Sequence, residues 1–298
     1  MRVALFALVT MLLGGLVAQA VGQERSWNAP RILLVTAHPD DDAAFTGLVY
    51  QVTHQLGGVV DLAMVTDGSG GFRYATLAEE IYGLELTDER VARQHLPTIR
   101  KQELMAGGAI AGIQSYFFFD QLDDAYTLNP MPALTMVWDA AAVRRRLVQL
   151  IQDRRYDLVV GHVPSAEVHG HHKAATILAL QAVTSLPAEE RPVVLGGFGC
   201  VIDGQAIAFS GLDGYPITNV ASGRALAEFD RNQTFGFNDR LNFQIIGNWV
   251  IAEHKSQGAM QLNMNRFDRE CYWYFDVNRE EAKGTVTALF ERLKVERP

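Results

Sequence analysis

Apolar residues in this chain gather in short runs separated by stretches with helical spacing, and the order of those runs predicts an alternation of strands and helices. Arg31 to Thr36 (Arg-Ile-Leu-Leu-Val-Thr) has the pattern of a strand buried on both faces of a parallel sheet. A helix is expected over Ala43 to Leu56. Val59 to Thr66 then reads as a second strand, turned at its end by Asp67-Gly68-Ser69-Gly70-Gly71. The alternation continues with a helix over Pro97 to Gly112, a strand over Ser115 to Phe119, a helix over Trp138 to Asp153, a strand over Asp157 to Gly161 and a helix over Gly170 to Thr184. Thr76 to His95 is charged and weakly patterned, so it reads as an insertion or a surface helix. In the last third, helices are expected over Asn248 to Gln257 and Arg279 to Lys294, and Cys271-Tyr272-Trp273-Tyr274-Phe275 reads as a late strand or an aromatic wall. The order predicts an α/β fold: a Rossmann-like, mostly parallel sheet with helices on both faces, in a single domain.

Composition narrows the function classes. With 298 residues, 48% of them apolar, the chain can bury a sizeable core. Its 26 Lys+Arg against 34 Asp+Glu give a net charge of −8, which makes nucleic acid a poor partner, because duplex binding needs a basic stripe. The basic run Arg144-Arg145-Arg146 reads as a solvated helix face.

Residues 1–20 stand apart. Arg2, the apolar run Val3 to Val17 and the small-residue pattern Ala18-Gln19-Ala20 have the layout of a secretory signal peptide. Cleavage after Ala20 leaves residues 21–298 and removes Arg2 but no acid, so the charge becomes 25 − 34 = −9. The apolar run is short for a membrane span of about 20 residues. The expectation is therefore an exported protein, periplasmic or secreted, with no stable membrane anchor after cleavage. In such a compartment Cys200 and Cys271 either pair or stay as two buried thiols, and the sequence leaves both readings open.

Chemistry is sought at the carboxyl ends of the strands, where open parallel sheets bind ligands. After the first strand stands Ala37-His38-Pro39-Asp40-Asp41-Asp42, an imidazole followed by three carboxylates. One acid can cap the next helix, but three beside a histidine repel one another without a cation. After the strand ending near Gly161, four of the eight histidines fall within eleven residues: His162, His169, His171 and His172. Neutral imidazole with carboxylate suits zinc, and three protein ligands leave a position for water. There is no Gly-x-Ser-x-Gly elbow, neither cysteine lies in a nucleophile motif, and no Gly-Lys-Ser/Thr follows the glycine-rich turn.

At these residues the chain resembles the PIG-L or LmbE-like zinc N-deacetylases. Ala37 to Asp41 matches that family's Ala-His-Pro-Asp-Asp-Glu motif, with Asp42 replacing the glutamate, and His169-Gly170-His171-His172 keeps both ends of its histidine pair. Arg100-Lys101-Gln102-Glu103 resembles its Arg-x-x-Glu helix and His254-Lys255-Ser256-Gln257 its late His-x-Ser-Gln. These matches span a core of about 31–257 and leave 258–298 as a C-terminal extension. The resemblance implies His38, Asp41 and His172 as ligands of Zn2+, with another divalent metal such as Fe2+ as the alternative. It further implies Asp40 as general base, protonated His169 as the group that holds the oxyanion, and Arg100 as a substrate contact, for which the other reading is a helix salt bridge with Glu103. Asp42 is one methylene shorter than the family glutamate, which is expected to loosen the support of His38 without removing a ligand. His171 replaces a family aspartate, and a one-residue shift of the turn would make it the ligand. The implied activity is removal of an acyl group, acetyl above all, from the amide of an N-acetylated amino sugar or glycoconjugate. The alternatives are an amidase on another N-acyl or thiol-sugar conjugate, or a non-catalytic carbohydrate-binding protein on the same scaffold. The expected partner is a small-molecule or glycan substrate with an N-acyl group. Thr76 to His95 and Tyr272 to Phe275 either line the mouth of the site or belong to the core.

Overall fold

Side chains of Arg31–Thr36 alternate between two apolar clusters, Ile32 and Leu34 in one and Leu33 and Val35 in the other, which is why the run lacks a polar face. The computed structural model describes residues 27–200 and 208–295, so the expected signal segment lies outside the described residues. The strands are β1 (Arg31–Thr36), β2 (Val59–Thr66), β3 (Ser115–Gln121), β4 (Leu158–His162), β5 (Val193–Cys200), β6 (Ala227–Asp230), β7 (Thr234–Phe235), β8 (Leu241–Asn242) and β9 (Arg269–Tyr274). Seven form one sheet in the order β3-β2-β1-β4-β5-β9-β6, while β7 and β8 pair separately. The pairs from β3 to β5 are parallel, with Arg31 opposite Val59 and Ile32 opposite Leu158, and β9 runs antiparallel between β5 and β6. The expected mostly parallel α/β architecture is what the chain adopts.

Helices are α1 (Thr46–Tyr50), α2 (Glu79–Tyr82), α3 (Glu89–Ala111), α4 (Ala140–Arg154), α5 (Gly170–Thr184), α6 (Phe243–Glu253) and α7 (Ala282–Arg292). The expected helix over Ala43 to Leu56 is a composite: a 3-10 turn over Pro39–Phe45, the short α1, and a π turn over Gln51–Gln55. Helix α3 starts eight residues before Pro97. Asp88 caps it by accepting from the Val91 N–H at 3.0 Å, and Gly112 ends it at φ 92°. The charged stretch 76–95 therefore holds a short 3-10 turn, α2 and the first turns of α3. Its apolar members Ala78, Leu86 and Ala92 pack with Leu96 and Ile99 in a small cluster of their own.

The aromatic stretch is a strand in the sheet, with Cys271, Trp273 and Phe275 in one core cluster and Tyr272 and Tyr274 in the other. Strand β5 escaped notice because its sequence, Val-Val-Leu-Gly-Gly-Phe-Gly-Cys, is broken by glycines. Those glycines are required by close approach: a Cβ at Gly197 would collide with the rings of Phe45 and Tyr272.

The Cys200 and Cys271 side chains form a disulfide across β5 and β9, with Cα atoms 6.1 Å apart and a sequence separation of 71. Closing a loop of that length restricts the unfolded chain. Reduction, or the double replacement Cys200→Ser and Cys271→Ser, is expected to lower unfolding free energy by about 2–4 kcal/mol. Denaturant titration with and without reductant measures this.

Candidate active site

The carboxyl ends of β1 to β4 converge on one cavity of about 400 Å³, and His38, Asp40, Asp41, Arg100, His169 and His172 all line it. The turn after β1 sorts its three acids by partner and burial. Asp41 Oδ2 accepts from the backbone N–H of Ala37 at 2.9 Å and of His38 at 2.8 Å. That leaves Oδ1 facing His172 Nε2 at 3.0 Å and His38 Nδ1 at 3.8 Å. Asp42 is 2% exposed and turns away from the cavity to meet His254 Nε2 at 2.8 Å. Asp40 is the acid open to the cavity, 21% exposed at its side chain, with Oδ1 taking a 2.6 Å hydrogen bond from Arg100.

The structure thus revises the expectation for Asp42. It joins the first motif to the late His-x-Ser-Gln segment rather than supporting His38. Against the cost of burial, the Asp42 carboxylate raises the His254 imidazole above its ordinary range. Glu103 completes this seam, accepting from the Ser256 backbone N–H at 2.8 Å and from Ser256 Oγ at 2.5 Å. Arg100 pairs with Asp40 and donates to the Gly68 carbonyl at 2.7 Å, so the helix salt bridge with Glu103 is not formed.

Helix α5 brings in the histidines. His169 is its N-cap, its Nδ1 taking the His171 N–H at 3.2 Å, and the first turn carries His171 and His172. His172 reaches the Asp41 side of His38, with its Nε2 2.9 Å from His38 Nδ1. His171 is 1% exposed and lies on the opposite side, its Nδ1 3.2 Å from His38 Nε2. His162, at the end of β4, stacks on His172 with centroids 4.4 Å apart, and burial pushes its pKa down to about 3.

Ligand atoms of His38, Asp41 and His172 all fall within 4.8 Å of one another. Zinc bonds of about 2.0–2.1 Å at tetrahedral angles set donors roughly 3.3 Å apart, so the observed 2.9, 3.0 and 3.8 Å fit a divalent ion. The local field agrees. Although burial opposes charge on His38, Asp123 and Asp41 raise its pKa to about 10, the mark of a place that favours positive charge. Asp41 is held well below the usual carboxylate range, His172 and His162 outweighing its burial.

Burial and the neighbouring His38, His171 and His172 push the pKa of His169 down to about 3. Its Nε2 faces the Thr127 N–H at 3.3 Å.

Two acids were missed from the sequence. Asp123 and Asp124 follow β3, which runs two residues beyond its expected end at Phe119. Asp123 Oδ1 stands 3.5 Å from His38 Nε2, and its Oδ2 accepts from the Gly70 N–H at 3.1 Å. The signal was present in the rule already applied to β1 and β4: inspect the residues just past each strand.

Fold and site together define a Rossmann-like α/β protein with a candidate metal centre beyond the carboxyl ends of its parallel strands. Residues 33–183, about half of the chain, match the family described as PIG-L: GlcNAc-PI de-N-acetylase, and the chain belongs to that family. A probable N-acetyl-alpha-D-glucosaminyl L-malate deacetylase 2 of Bacillus cereus is 25% identical over 163 residues, covering 55% of this chain and 65% of that protein. The solved structure of the A40926 pseudoaglycone deacetylase Dbv21 aligns with a TM-score of 0.54 and 18% identity, over 85% of this chain and 99% of that one. The 4-carboxy-2-hydroxymuconate hydratase GalB from Pseudomonas putida KT2440 aligns with a TM-score of 0.51 and 14% identity, over 84% and 97%. These structural likenesses establish the fold. A hydratase beside a deacetylase shows that the chemistry must be argued from the site.

Proposed function

We propose that the protein is a divalent-metal-dependent N-deacetylase acting on an N-acetylated amino sugar or glycoconjugate. The observation that carries this reading is the sorting of Asp40 and Asp41. Adjacent carboxylates face one cavity, Asp41 directed at two imidazole nitrogens and Asp40 left open beside them. Family membership and the deacetylase relative support the choice of amide substrate.

A metal ion held by His38, Asp41 and His172, Zn2+ first and Fe2+ as the alternative, would supply Lewis acidity and bring a water's pKa down towards about 7. The residues of the chain do the rest. Asp40 takes the proton of the attacking water as the new C–O bond forms. It returns that proton to the amide nitrogen as the C–N bond breaks, releasing acetate and the free amine. Arg100 holds Asp40 in place through the 2.6 Å hydrogen bond and, from the cavity wall, contacts the substrate. His169 lines the cavity beside His38 and His172, where its ring can meet the carbonyl oxygen as negative charge develops. Tyr126, Phe198 and Phe267 give the cavity aromatic faces suited to a sugar ring or an apolar substituent. An amidase acting on another N-acyl conjugate would use the same machinery.

The test is metal analysis with a screen for amine release over N-acetylated sugars and cell-wall fragments. Stoichiometric divalent metal is expected, with amine release abolished by chelation, restored on reloading, and lost with bound metal in His38→Ala. Protein without metal whose activity survives His38→Ala sinks the reading. Export rests on residues 1–20 alone. Sequencing the amino terminus of the protein recovered outside the cytoplasm is expected to begin at Val21.

A further inference from the structure

His38 presents both of its ring nitrogens to donor sets, and the reading above uses only Nδ1. We propose that His38 Nε2, His171 Nδ1 and Asp123 Oδ1 form a second divalent-cation site, so that His38 bridges two metal ions. The three atoms make a nearly equilateral triangle with sides of 3.2, 3.4 and 3.5 Å, close to the roughly 3.3 Å expected between donors on a tetrahedral zinc ion.

The shell behind the triangle is also built. His171 Nε2 stands 2.9 Å from Asp124 Oδ1, which fixes the tautomer with the proton on Nε2 and leaves the Nδ1 lone pair directed at the triangle. Asp123 Oδ2 is held by the Gly70 N–H and lies 3.7 Å from Arg100, so Oδ1 is the oxygen left for a ligand. The donors are well covered, with His171 1% and Asp123 6% exposed. The cavity touches His38, Asp123 and His169, which gives an ion a way in. In proton balance, the second ion takes the place of the proton on His38 Nε2, which is released to solvent, and the bridging ring becomes an imidazolate. A hydrogen bond from His38 Nε2–H to His171 Nδ1 accounts for one side of the triangle. It does not account for a carboxylate oxygen placed nearly equally from both nitrogens.

The second site shares His38 with the metal centre proposed above, and the experiment separates the two. The full chain is stripped with a chelator and titrated with Zn2+ while bound metal is counted, and a parallel sample is loaded with Cu2+ for electron paramagnetic resonance. Two ions are expected per wild-type chain, one in His171→Gln, one in the isosteric Asp123→Asn, one in His172→Gln, and none in His38→Gln. Circular dichroism verifies that each variant is folded. Two Cu2+ ions bridged by one imidazolate couple, so the signal per copper in the wild type should fall well below that of Asp123→Asn. Saturation of the wild type at one ion, two ions retained in Asp123→Asn, or two uncoupled Cu2+ signals would overturn the bridged second site. A single wild-type ion, lost together with amine release in the His38 and His172 variants and retained in those of His171 and Asp123, rejects the second site and leaves the deacetylase reading standing. Two coupled ions without amine release support the second site and reject that reading.

Discussion

Replacing Asp40 with Asn is expected to slow amine release by about 10²–10⁴-fold, the range over which a positioned general base contributes, while bound metal stays unchanged. The expectation follows from how the three consecutive acids divide their work. Asp41 directs Oδ1 to the imidazoles and Asp42 is committed to His254, so neither can take a proton from water in the cavity without giving up its partner. Asp40 has Arg100 on one oxygen and cavity on the rest of its exposed surface. Asn keeps the shape and can still accept from Arg100 through its amide oxygen, so the change removes basicity with little change of packing. Steady-state kinetics should show the loss in kcat rather than in KM, since Asp40 acts in the chemical step. Undiminished release would remove Asp40 from the mechanism, and loss of metal would move it into the ligand set.

Much of this site was legible because it obeys a local rule. A buried strand that ends in His-Pro-Asp-Asp-Asp marks its own carboxyl end, and β1 and β4 were found with their polar ends attached. What the sequence could not divide was the role of each acid, because Asp40, Asp41 and Asp42 differ only in which way a 3-10 turn points them. Asp42 finds His254 across 212 residues, and Glu103 finds Ser256 across 153. Local pattern carries no information on such pairings. His171 shows the same limit: one residue before His172 in the helix, it turns to the other nitrogen of His38. Asp123 was hidden for a simpler reason. The aromatic run of β3 stops at Phe119 while the strand itself continues to Gln121, which places Asp123 beyond the end that hydrophobicity alone marks. Strand β5 is obscured by its glycines, while the dense aromatic run of β9 reads equally as a late strand or an aromatic wall. The two strands fit together because Gly196 and Gly197 make room for the rings of Phe275 and Tyr272.

The largest stability effect is expected at Glu270, whose ion-pair partner Arg231 lines the cavity wall. This residue of β9 is fully buried, and four donors converge on it: the backbone N–H groups of Gly47 at 2.6 Å and Leu48 at 3.0 Å, Arg231 Nε at 2.8 Å and Tyr272 Oη at 2.7 Å. Glu270 thereby ties the first turn of α1 to the C-terminal part of the sheet. Glu270→Ala would leave Arg231, itself 4% exposed, charged and unpaired in the interior, together with two orphaned amides. Breaking a buried pair in this way costs about 3–5 kcal/mol, which for a domain of this size lowers the melting temperature by roughly 6–20 °C. Glu270→Gln keeps one acceptor oxygen and should lose less. The double variant Glu270→Met with Arg231→Met should recover part of the loss, because it removes the stranded charge as well as its partner. If the stability of Glu270→Ala stays within 1 kcal/mol of the parent (about RT ln 5), the pair is not what holds α1 to the sheet. A full loss with no recovery in the double variant would instead place the effect in the Gly47 and Leu48 amides. The turn that carries Asp40 and Asp41 runs directly into α1, so metal affinity is expected to weaken along with stability in Glu270→Ala and to return with it in the double variant.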